Sequence, residues 1–118
     1  MFQDVTGGLE VRNAAGEWVP APYIPETVLV NTGDMIERWT NHRFRSTLHR
    51  VALPKGEAAL CSRYSIACFF DPDLEAIIEC LPSCQTPEQP ALYPPISSGD
   101  YLRLKLQETL KQPAPVGS

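Results

Sequence analysis

Residues 60–70 read LCSRYSIACFF. Side chains two apart share a face of a strand, so Cys61, Arg63, Ser65, Ala67 and Phe69 lie together on one side of this run. One guanidinium and one hydroxyl therefore stand in an otherwise apolar row. A cation placed there is costly to desolvate unless an anion meets it, and the run itself contains no acid. Two kinds of partner suit it. One is an acidic side chain on a neighbouring strand. The other is the carboxylate of a small ligand, gripped by the planar fork of Arg63 with a further hydrogen bond from Ser65.

The run before it, FRSTLHRVAL over residues 44–53, also reads as a strand, with Thr47, His49 and Val51 on one face. If the PKGEAA segment, residues 54–59, turns the chain near Gly56, cross-strand partners have numbers summing to about 112. That register sets His49 roughly opposite Arg63. A lone histidine on an apolar strand is more often a satisfied core residue than a metal ligand. Its alignment with a cation that wants an acid makes a joint site for a metal and a carboxylate the competing reading. His42, in the TNHR turn, is seven residues from His49 and on the opposite face of a continuous strand, so it reads as a surface turn residue.

Outward from these two runs the chain is dominated by short strands and turns. GGLEV and GEWV flank RNAAG as a hairpin, VPAPYIPE is too rich in proline for an interior strand, and TVLVN and MIERWT are further short runs. LEAIIECL is ambiguous between helix and strand. The clear helix is SSGDYLRLKLQETLKQ, where Ser97 and Asp100 have capping-box spacing and Leu102, Leu106 and Leu110 form a stripe expected to pack on a sheet. Six or seven strands with one helix indicate a mainly β chain, a sandwich or jelly roll with one C-terminal α-helix. One domain over residues 1–111 and a disordered tail over 112–118 are expected.

A net charge of −4 argues against nucleic acid as a partner, and the cluster of Arg38, Arg43, Arg45 and Arg50 reads as a solvated strand edge. No apolar run is long enough to cross a bilayer, and the first twenty residues lack the pattern of a secretory signal, so no membrane partner and a cytoplasmic location are expected. Cys61, Cys68, Cys80 and Cys84 match no zinc or thioredoxin-type spacing and read as free thiols.

Five segments in order, QDVTGGLEV, NTGDMIERWTN, FRSTLHRV, SRYSIACFFDP and ISSGDYL, together resemble the C-terminal half of the iron(II)- and 2-oxoglutarate-dependent dioxygenases of the isopenicillin N synthase-like group. The resemblance implies a double-stranded β-helix, or jelly roll. It implies that His49 matches an iron-binding histidine and that Arg63 and Ser65 match the pair that binds the far carboxylate of 2-oxoglutarate. Fe(II), 2-oxoglutarate and a small-molecule substrate are the implied cofactor, cosubstrate and partner, with hydroxylation, desaturation or ring closure as the reaction. The family's His-x-Asp ligand pair has no counterpart in residues 1–118. From this the fold is expected to be incomplete on its N-terminal side, with a missing N-terminal segment or a homodimer covering an open sheet edge. An inactive remnant serving as a binding or dimerisation module is the alternative.

Overall fold

The computed structural model describes residues 1–111. The tail expected over 112–118 lies outside the described residues. The chain divides into two compact units, Met1–Gly33 with Arg45–Phe69, and Asp34–Phe44 with the chain from Phe70 onward.

The first unit is built on β-strands. Strands β2 (Leu9–Arg12) and β3 (Trp18–Pro20) form the expected hairpin, with Val11 opposite Val19 and Arg12 opposite Trp18. Its turn closes because Asn13 works twice: its N–H donates to the Glu17 carbonyl at 2.9 Å, and its Oδ1 accepts the Glu17 N–H at 2.9 Å. Gly16 supplies the left-handed conformation the turn needs, at φ 84°. On the other side of β2 lies β4 (His49–Val51), pairing Leu9 with Val51, Glu10 with Arg50 and Val11 with His49. Alternation then sorts the two faces. Leu9 is buried on one, while on the other Arg50 meets Glu10 at 2.7 Å and lies 4.2 Å over the Trp18 ring. A separate two-stranded ladder joins β1 (Phe2–Gln3) to β5 (Ser65–Ile66), with Gln3 opposite Ser65 and Phe2 opposite Ile66.

This pairing overturns the expected hairpin between residues 44–53 and 60–70. Strand β4 pairs with β2 and β5 with β1, and the segment between them folds as a 3-10 helix over Gly56–Leu60. Pro54 carries no N–H for a ladder, and Gly56 at φ 66° opens a helical turn instead of a tight hairpin. TVLVN forms no strand either. Leu29 alone bridges to the chain start, its N–H to the Met1 carbonyl at 3.0 Å, because the prolines before it keep the segment out of a ladder.

In the second unit, MIERWT belongs to a helix, α1 (Asp34–Trp39), and is not an extended run. Asp34 and Glu37 in the first turn and Arg38 in the last suit the helix dipole. Asn41 and His42 then stop the helix with left-handed φ of 52° and 66°. The ambiguous LEAIIECL resolves as β6 (Ile77–Ile78), paired antiparallel with β7 (Ile96–Ser97) around the buried Ile78. Helix α2 (Ser98–Lys111) starts where the capping spacing places it, with the Asp100 N–H bonded to Ser97 Oγ at 3.1 Å. Its leucine stripe is not what it buries. Ser98 and Tyr101 are buried, whereas Leu106 and Leu110 are 66% and 85% exposed, so the first turn does the packing. All four cysteines are free, Cys61 and Cys68 exposed and Cys80 and Cys84 buried. No helix among the described residues is long and apolar enough to cross a membrane.

Candidate functional site

Arg63 immediately precedes the exposed Tyr64 and β5, and its guanidinium is held from below by the backbone. Its Nε–H donates to the Gly7 carbonyl at 2.7 Å, and its Nη1 reaches Ser65 Oγ at 3.4 Å. Its remaining nitrogen, Nη2, is buried and has no hydrogen-bond partner among the described residues. Among the described residues Arg63 forms no ion pair, so of the two partners that suit it the acidic side chain on a neighbouring strand is not supplied there. A buried cationic N–H that meets no acceptor among the described residues is suited to one brought by a ligand. Ser65 lies on the same side, two residues along, and contributes a hydroxyl beside the fork.

Asp4, the carboxylate that feels the Arg63 charge, is occupied by the backbone. Its Oδ2 accepts the Tyr64 N–H at 2.6 Å and its Oδ1 accepts the Thr6 N–H at 3.0 Å. The Tyr64 N–H above all holds its carboxyl below the ordinary range; burial opposes this, and Thr6 and the Arg63 charge add to the lowering. The sequence alone assigns Asp4 no role. The signal that marks it is its place before the Thr6-Gly7-Gly8 turn, a turn pattern in which a short acid bonds the backbone two residues on.

His49 stands at the first position of β4, exposed, with Nδ1 3.2 Å from the Thr47 carbonyl and 3.4 Å from Asn31 Nδ2. A bond to the Thr47 carbonyl needs a proton on Nδ1, the arrangement in which Nε2 of a neutral ring carries the lone pair, whereas a bond from the Asn31 amide needs the lone pair on Nδ1. His49 and Arg63 are therefore not hairpin partners. They belong to different ladders, and what links those ladders is the Asp4–Gly8 turn: Gly7 gives its carbonyl to Arg63, and Gly8 gives its own to the Ala52 N–H at 2.8 Å. No group of three or more His, Cys, Asp or Glu among the described residues could hold a metal. A lone imidazole does not satisfy an octahedral iron(II) ion, so the iron does not fit these residues by themselves, whereas a carboxylate fits the Arg63 fork.

His42, expected at the surface of a turn, is in the turn but half-buried. It stacks on Tyr93 with ring centroids 5.6 Å apart, and its Nε2 lies 2.8 Å from the Tyr93 hydroxyl.

The profile of the 2OG-Fe(II) oxygenase superfamily matches residues 1–72. Kihadalactone A synthase LFS of Citrus sinensis is 37% identical over 109 residues, covering 89% of this chain and 31% of its own length. The 2-oxoglutarate-dependent dioxygenase htyE of Aspergillus rugulosus is 36% identical, covering 92% of this chain and 36% of its own length. Among solved structures, a full-length Neurospora crassa protein in complex with alpha-KG superposes with a TM-score of 0.82 at 42% identity, over 90% of this chain and 35% of that one. The rice dioxygenase for auxin oxidation superposes with a TM-score of 0.68 at 28% identity, over 91% of this chain and 36% of that one. The chain thus spans about a third of the length of the relatives it matches, and its fold is that of their jelly roll, mainly sheet with one main helix. On the match to more than half of its residues, the chain belongs to the 2OG-Fe(II) oxygenase superfamily.

Proposed function

We propose that residues 1–111 form the 2-oxoglutarate-binding portion of a cytoplasmic, non-haem iron(II) oxygenase acting on a small organic molecule. In this reading Arg63 and Ser65 hold the distal carboxylate of 2-oxoglutarate, and His49 is one of several iron ligands, the others coming from outside these residues. Iron(II), when bound, supplies the oxygen chemistry. The chain's own residues bind and orient the oxoacid. The observation that carries the proposal is the buried, unpartnered Nη2 of Arg63, with Nε already fixed on Gly7 and a hydroxyl beside it. A carboxylate brought to the guanidinium gains charge-assisted bonds while Nε stays held on the Gly7 carbonyl.

Titration calorimetry with 2-oxoglutarate tests this. Arg63→Ala is expected to weaken binding by about tenfold or more, the loss typical of one hydrogen bond to a charged group. Equal affinity in the variant and the parent chain removes the clamp.

A second reading has its own support. Among the described residues strands β1 and β5 pair only with each other, and Phe2 and Ile66, directly opposed, are 55% and 68% exposed. Such an apolar ladder with free edges suits pairing with another polypeptide, either further residues of a longer oxygenase or a second copy. In an inactive module this surface, and not the clamp, would be the functional one.

A further inference from the structure

We propose that the Asp4–Gly8 turn sets the Arg63 fork, with Asp4 as its positioning residue; the proposal rests on the reading of Arg63 as a carboxylate clamp. The backbone on both sides of Arg63 is held from this turn. Asp4 accepts the Tyr64 N–H at 2.6 Å and donates its own N–H to the Tyr64 carbonyl at 3.1 Å. Thr6 Oγ1 donates to the Ser62 carbonyl at 3.3 Å. The second oxygen of Asp4 takes the Thr6 N–H at 3.0 Å, which closes the turn and presents the Gly7 carbonyl to Arg63 Nε at 2.7 Å.

The same turn reaches the histidine strand. Gly7 and Gly8 are both left-handed, at φ 66° and 89°, and so send successive carbonyls to different partners, Arg63 and the Ala52 N–H just beyond β4. A Cβ on Gly8 would sit 3.4 Å from the Ala52 carbonyl oxygen, an ordinary van der Waals contact, so it is the left-handed backbone that calls for glycine there. One five-residue turn thereby fixes the guanidinium directly and anchors the strand that carries His49. Position 4 demands a carboxylate because both of its oxygens accept an N–H. An amide offers one acceptor and sets an NH2 group against the other donor. Asp4 does not touch the ligand; it acts through Arg63.

The test uses the full chain labelled with nitrogen-15, reading the Arg63 Nε–H by its exchange with solvent and 2-oxoglutarate affinity by titration. Asp4→Ala is expected to speed Nε–H exchange by roughly tenfold and to weaken 2-oxoglutarate binding roughly fivefold to tenfold, the effect of losing one or two hydrogen bonds. Amides of α2 should keep their protection, which separates loss of aim from general unfolding. Asp4→Asn, keeping one of the two bonds, should fall between. If Arg63 Nε–H exchanges as slowly in Asp4→Ala as in the parent chain, the turn does not position the fork and the inference is overturned. If instead Arg63→Ala binds 2-oxoglutarate as well as the parent, the clamp reading fails, while the exchange rate still judges the brace. Should Asp4→Ala not fold, Thr6→Val removes the hydroxyl that bonds the Ser62 carbonyl and supports the Asp4 carboxylate; an exchange rate raised roughly twofold supports the brace, and an unchanged rate counts against it.

Discussion

At the scale of single residues, Arg63 owes its use to shape as much as charge. Arg63→Lys keeps the charge but cannot reach the Gly7 carbonyl and a ligand in one plane, so its 2-oxoglutarate affinity should fall nearly as far as that of Arg63→Ala, measured by the same calorimetry. Asp4 adds a pH signature. Its folded value lies below the ordinary 3.8, so the stability its ionised form contributes is complete above that pH and is lost as pH falls through the lower folded value. The stability difference between the parent and Asp4→Asn should therefore shrink as pH drops below 3.8 in acid denaturation. Asn41 is the comparable residue of the second unit. It is 1% exposed, donates to the Cys84 and Pro90 carbonyls at 3.1 Å each and accepts the Leu92 N–H at 3.0 Å, so one side chain ties down the 84–92 loop. Asn41→Ala should cost at least about 2 kcal/mol in urea unfolding, because buried backbone groups lose their partners. Asn41→Gly should cost about 1 kcal/mol less than Ala, since it tolerates the left-handed backbone.

At the scale of elements, α2 shows local and tertiary rules in opposition. Its cap is local: Ser97→Ala removes the bond to the Asp100 N–H and should cost about 1 kcal/mol. Its first turn obeys packing. Alanine is the better helix former, yet a Cβ at Gly99 would stand 3.2 Å from the Leu74 carbonyl oxygen, which the Gly99 N–H already holds at 2.9 Å. Gly99→Ala should accordingly lower stability, by about 1 kcal/mol in urea unfolding, where propensity alone predicts a gain. The leucine stripe was the reverse case, a periodic pattern with no surface among the described residues to receive Leu106 and Leu110.

For the molecule as a whole, the features that stand out are apolar side chains in water. Tyr64, Phe69 and Phe70 are 72%, 83% and 93% exposed around the short β5, so the chain alone should self-associate. Ile66→Lys on β5 should reduce that association in sedimentation velocity without lowering the melting temperature of the chain, because Ile66 is 68% exposed. Because no metal-binding group of three ligands exists among the described residues, iron(II) and 2-oxoglutarate added without oxygen should give no charge-transfer absorption with this chain. A clear band would mean that the ligand set is larger than His49.

What was legible from residues alone was local. The β2–β3 hairpin, the Ser97 cap and the side shared by Arg63 and Ser65 all follow from neighbours a few positions apart, and alternation or turn chemistry decides them. Which strand each strand pairs with was not legible. The ladders β2–β4 and β1–β5 join residues some forty to sixty-five positions apart in sequence, and periodicity carries no record of a partner. For the same reason the Asp4–Gly8 turn stayed hidden as the support of Arg63: its carboxylate and carbonyl acquire their partners only once the chain has closed on itself, and an unsatisfied Nη2 can be identified only after every nearer acceptor has been placed.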